Sequence, residues 1–98
     1  MTHDEALLVT DRLIADERER AHIKHGLTSM RHGSPFGERR LRVLVEEVGE
    51  VARVMNEHDH GNIDWREMGY KLIEELVQVA AMASDWSASV SAFMNETQ

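Results

Sequence analysis

Apolar residues recur at helical spacing along most of the chain, and they divide it into three segments. In the middle segment Leu41, Leu44, Val45, Val48, Val51, Ala52 and Met55 follow a 3.6-residue period, which predicts an amphipathic helix over about 36–58. The first segment, about 4–25, has a thinner apolar set in Leu7, Leu8, Ile14, Ala15 and Ile23. Asp11, Arg12, Asp16, Glu17, Arg18, Glu19 and Arg20 supply its charged, solvated side, with one-turn pairs such as Asp16–Arg20. The third segment, about 64–87, differs in kind. Trp65, Met68, Leu72, Ile73, Leu76, Val77, Val79, Ala80, Met82 and Trp86 cover nearly its whole circumference. A helix apolar all round must be covered on all sides. Two neighbours from so short a chain barely suffice, so the pattern predicts a second subunit.

The punctuation between segments fits this division. Gly26 after Lys24-His25 is the expected C-terminal stop of the first helix. Gly33, Ser34, Pro35 and Gly37 mark a loop that leads into a helix start near Ser34-Pro35. Asp59-His60-Gly61-Asn62 breaks the second helix, and Asp64 with Glu67 three residues on forms a capping box for the third. The tail, 87–98, reads as a short fourth helix or a frayed end. The expectation is one all-α domain over 1–98 with its core in about 17–86.

Composition narrows the class further. The 98 residues carry eleven Lys+Arg against eighteen Asp+Glu, a net charge of −7. That balance argues against a surface built for nucleic acid or anionic membrane. The absence of cysteine excludes a disulfide scaffold, a thiolate zinc site and a cysteine nucleophile. No run of 18 apolar residues exists and Met1-Thr2-His3-Asp4-Glu5 lacks a basic leader segment, so the expectation is a soluble, cytoplasmic chain. No Gly-rich phosphate loop is present.

The chemistry lies in where the acids fall. Glu46-Glu47-Val48-Gly49-Glu50 and Glu74-Glu75-Leu76-Val77-Gln78 sit among core positions of the second and third helices. Glu47 and Glu50 lie one turn apart on a common face, and Glu75 and Gln78 repeat the spacing. Burying ionised carboxylates uncompensated costs several kcal/mol each. The nearest cations, Arg53 and Lys71, stand only at the borders of the two clusters. A divalent cation held by oxygens from two facing helices would balance the charge, and Mg²⁺ or Mn²⁺ suits that donor set. Gly49, which costs a helix about 1 kcal/mol, predicts close approach of a helix or ligand there.

Glu47-x-x-Glu50 followed by Glu75-x-x-Gln78 resembles the ExxE…ExxD signature of the MazG-like, all-α nucleoside triphosphate pyrophosphohydrolases. "EEVGEVARVMNE" and "EELVQVAAMASDW" resemble the two motif helices, and the Glu19…Lys24-x-Gly26 end of the first helix resembles the segment that precedes them. The resemblance covers about 17–86. It implies antiparallel helices that form a four-helix bundle between subunits of a dimer or tetramer. It also implies Mg²⁺-dependent hydrolysis of a nucleoside triphosphate to a monophosphate and pyrophosphate. Glu47, Glu50 and Glu75 would be metal ligands, with Gln78 in the fourth position, and Glu46 or Glu74 a base or supporting group. Gln78 departs from the family's Asp, which removes one negative charge and should weaken Mg²⁺ binding.

Holding a phosphate chain also needs cations. Lys71, one turn before Glu75, is preferred; Lys24, Arg31, Arg39 and Arg53 are further candidates. Trp65 and Trp86 could stack on a base or simply belong to the core. His58-Asp59-His60 has no convincingly spaced third ligand and reads as a polar loop, and His32 beside Arg31 adds nothing firm. Two other classes compete with the enzyme: a dimer with a weakened site that binds nucleotide or a protein partner in regulation, and a purely structural helical protein whose Glu47 and Glu50 point to solvent.

Overall fold

The computed structural model describes residues 1–26 and 34–96. It contains α1 (His3–His25), α2 (Glu38–Asp59) and α3 (Trp65–Glu96), and no strand among the described residues. The protein is all-α, as the 3.6-residue periodicity predicted.

Local chemistry sets the helix ends. Thr2 accepts a hydrogen bond from the Glu5 backbone N–H at 3.1 Å, and Gly26 closes α1 at φ 55° while its N–H donates to the His22 carbonyl. The positive φ explains why glycine stands at that stop. Asp64 accepts from the Glu67 N–H at 2.8 Å, half of the expected capping box. The Glu67 carboxylate turns instead to Lys71, 3.4 Å away. Helix α2 begins at Glu38, two residues later than expected, with Gly37 as N-cap. Helix α3 continues without a break to Glu96, so the expected separate tail is the last three turns of a single long helix.

Helix α3 is the central element; α2 packs along one side of it and α1 along another. The α2–α3 pair is antiparallel. Near its turn Lys71 pairs with Glu57 at 3.8 Å. At the other end the Trp86 indole N–H donates to the Pro35 carbonyl at 2.6 Å, and the Phe36 and Phe93 rings meet edge to face at 5.3 Å. Arg18 ties α1 to α3 by donating to Ser84 at 2.7 Å, with Asp85 3.9 Å away. The region 17–20 is therefore not uniformly solvated as the sequence suggested: Arg18 and Glu17 are half-buried, and Arg20 pairs with Glu17 rather than Asp16.

The interior is small. Val54 and Ala81 are the buried apolar side chains, and Arg40, at 2% exposure, is the most buried residue described. Burial and the neighbouring Arg39 lower the Arg40 guanidinium from its ordinary value. Many large apolar side chains remain exposed, among them Trp65 at 66%, which therefore does not belong to the core. The radius of gyration is 15.5 Å, against about 13 Å for a compact domain of this size. No helix among the described residues is long and apolar enough to cross a membrane.

Candidate functional site

The antiparallel pairing of α2 and α3 brings the two acidic clusters together. Glu47 is half-buried, and its Oε2 is buried with no hydrogen-bond partner. Burial raises the Glu47 carboxyl above its ordinary range, and the negative charges of Glu75, Glu50, Glu17 and Glu46 raise it further. Glu75 is raised in the same way, first by burial and then by Glu50 and Glu74, with Arg53 opposing. Carboxylates from both helices thus share one field, as their positions in apolar helix faces implied.

A recess of about 250 Å³ opens between α2 and α3, lined by Glu50, Arg53, Glu57, Lys71, Glu74 and Glu75. Its cations are already engaged. Arg53 lies 3.5 Å from Glu50 and 3.7 Å from Glu57, while Lys71 bridges Glu57 and Glu67. These are exposed pairs of small energetic weight, so an anionic ligand can compete for either cation.

Gln78 lies on the other side of this arrangement, towards α1. It lines a recess of about 650 Å³ with Leu13, Asp16, Glu17, Arg20, Glu74 and Val77, and an enclosed cavity of about 150 Å³ with Glu17, His22, Arg39, Met82 and Asp85. Glu74 lines both the α1–α3 and the α2–α3 recesses and so joins them. Glu17 was not singled out by sequence, where it is one charge in a charged run. Its carboxylate acts on Glu47, and it is held ionised below its ordinary value chiefly by the paired hydrogen bonds from Arg20, at 2.6 and 2.7 Å. Only the packing of α1 on α3 reveals its position.

The remaining predicted residues are spread more widely. Glu46 and Lys24 are exposed, and Lys24 contributes to holding Glu17 ionised. Arg39 lines the enclosed cavity. Arg31 and His32 lie outside the described residues. His58 and His60 hold the turn, each through Nδ1, to the Ile63 carbonyl at 3.1 Å and the Asn56 carbonyl at 2.7 Å. Among the described residues nothing lies within 4 Å of a Cβ placed on Gly49, so the close approach expected there is not seen.

The donor chemistry is that of a hard divalent cation's ligands: carboxyl oxygens from two helices, one of them buried and without a hydrogen-bond partner, with no soft ligand. Among the described residues, no group of three or more His, Asp or Glu side chains is placed to hold a metal ion. Comparison with family models, curated proteins and solved structures gives no match.

Proposed function

We propose that this chain is a metal-dependent nucleoside triphosphate pyrophosphohydrolase of the MazG-like kind. In this reading it hydrolyses a (d)NTP or related nucleotide to the monophosphate and pyrophosphate, and it works as a homo-oligomer. The observation that carries the reading is Glu47: a carboxylate oxygen is buried without a partner beside Glu75 and Glu50. Among the described residues no hydrogen-bond donor meets that oxygen, and a bound cation would.

Glu47, Glu50 and Glu75 would hold Mg²⁺ or Mn²⁺, with the Gln78 carbonyl a weaker donor from the α1 side. When bound, the metal supplies charge neutralisation at the phosphate oxygens and acidifies a bound water. Lys71 and Arg53, at the border of the α2–α3 recess, exchange their glutamate partners for the phosphate chain. Glu74, which joins the two recesses, accepts the proton of the attacking water. Glu46, on the exposed side of α2, is the poorer candidate for that role.

A second reading keeps the same site but without turnover: nucleotide or partner binding in a regulatory role. It is favoured by Gln78, whose neutral side chain opens towards α1 rather than into the recess of Glu50 and Glu75. Pyrophosphate release from a panel of canonical and modified (d)NTPs, with Mg²⁺, Mn²⁺ or EDTA, decides between them. Metal-dependent release of pyrophosphate with a nucleoside monophosphate supports the hydrolase. Nucleotide-dependent thermal stabilisation without any product supports the binding protein.

A further inference from the structure

Glu57 stands in the last turn of α2, where the helix dipole favours a cation and disfavours a carboxylate. Two cations from two helices compensate it there. Its Oε1 lies 3.7 Å from Nε of Arg53 on α2, and its Oε2 lies 3.8 Å from Nζ of Lys71 on α3. Each oxygen of the carboxylate thus faces a different cation. Glu50 and Glu67 accompany one cation each, at 3.5 Å from Arg53 and 3.4 Å from Lys71. The Glu57 side chain, 34% exposed, is the least exposed of these three carboxylates.

The two contacts of Glu57 do little to hold the helices. Both are longer than the roughly 2.7–3.2 Å of a hydrogen bond, and open ion pairs of this kind contribute little to folding. The α2–α3 pair is fastened at its far end, by Trp86 on Pro35 and by Phe36 on Phe93. What the contacts do is fill a place. Glu57, Arg53 and Lys71 all line the recess between α2 and α3. A carboxylate that meets Arg53 with one oxygen and Lys71 with the other marks a seat from which a single phosphoryl group meets both, since both anions pair with these cations through oxygens of one group.

We propose that Glu57 is a built-in stand-in for a phosphoryl group: it holds the seat between Arg53 and Lys71, must leave it before a phosphate chain enters, and so sets how tightly such chains bind. The proposal rests on the preceding reading of Arg53 and Lys71 as phosphate-binding cations, and it adds a residue that works against binding. Once displaced, Glu57 keeps its charge beside the seat and repels the anion that replaced it. A lone phosphoryl group has little else to hold it against that competition, whereas a longer phosphate chain makes further contacts in the recess. Glu57 thereby favours longer chains and helps released pyrophosphate to depart, by returning to its two cations.

Inorganic pyrophosphate titrated into metal-free protein, followed by nuclear magnetic resonance, tests this without turnover. Glu57→Gln keeps the shape and removes the charge, and it should tighten pyrophosphate binding roughly tenfold, the scale of two exposed ion pairs released together. Adding Arg53→Gln to that variant should cancel the gain. Glu67→Gln, which meets Lys71 alone and does not line the recess, should change the affinity by less than about threefold. The melting temperature of Glu57→Gln should equal or exceed that of the wild type, because a carboxylate leaves the C-terminal turn of α2. Equal pyrophosphate affinity in Glu57→Gln and wild type overturns the proposal, and so does the absence of saturable binding in both. A lower melting temperature with no gain in affinity makes Glu57 a strut between the helices and overturns it as well. Failure of the hydrolase reading is a separate result: no nucleotide releases pyrophosphate, whatever Glu57→Gln does to the affinity.

Discussion

The charge of Glu75 on α3 acts on Glu47 of α2 across the antiparallel helix pair; both carboxyls are raised by burial and by neighbouring negative charge, and one oxygen of Glu47 is buried without a hydrogen-bond partner. Such an arrangement is unfavourable for ionised carboxylates, and in the proposed function a bound divalent cation would relieve it.

Glu47→Gln should accordingly raise the melting temperature in EDTA by about 2–5 °C, the scale set by removing an unfavourable charge in a domain of this size. The same substitution should abolish the additional stabilisation given by Mg²⁺ in the wild type. Circular dichroism melts of both proteins, with and without Mg²⁺, measure the two effects together.

The difference between the two proteins should depend on pH with a definite sign. The folded state holds Glu47 and Glu75 above the ordinary value of 4.5, so between that value and their raised values it binds more protons than the unfolded chain. Stability from these groups is present at low pH and is lost as pH rises through that window. Glu17, lowered by Arg20, acts oppositely: its contribution is lost as pH falls below 4.5 through its lowered value. The advantage of Glu47→Gln should be greatest at neutral pH and shrink to nearly nothing well below the ordinary value of 4.5, where Glu47 is protonated in both states. Paired melts across that range read it directly.

Much of this was legible in the chain. The helical period of α2 and the interleaved EE clusters follow from residue spacing, and antiparallel pairing follows from the short Asp59–Asn62 break, but Leu41, Val45, Val48 and Met55, read as core, are more than half exposed. Gly26 and Asp64 mark helix ends because their φ preference and side-chain acceptor act locally. Glu17 and Gln78 were not legible as neighbours. Nothing in their spacing says that α1 packs on the Gln78 side of α3, and that packing is carried by Arg18, Ser84 and Asp85 across 66 positions of sequence. Helix α3 continues to Glu96 past Ser87 and Ser89, whose polar side chains read as the start of a tail, and its last turns carry Phe93 against Phe36 at the start of α2.

Gln78→Asp adds a carboxylate beside Glu17 and near Glu74. Without metal it should lower the melting temperature by a few degrees, about as much as Glu47→Gln raises it. With metal it should tighten Mn²⁺ binding by about tenfold, since one ionised ligand replaces a neutral one. Isothermal titration calorimetry gives the affinity and a melt in EDTA gives the stability.

Trp86→Phe keeps the half-buried ring but removes the hydrogen bond to Pro35 that anchors the start of α2 on α3. The loss should be about 1 kcal/mol, or roughly 4–8 °C in melting temperature. Metal affinity should be unchanged, because Trp86 does not line the acidic recesses. Melts and Mn²⁺ titration of this variant separate fold from site.

The central claim is that Glu47, Glu50 and Glu75 hold a divalent cation, and titration with Mn²⁺ followed by electron paramagnetic resonance tests it most directly. Saturable binding in the wild type, weakened at least about tenfold by Glu50→Gln and by Glu75→Gln, is the predicted result. Absence of saturable binding, or binding that both substitutions leave unchanged, would contradict it.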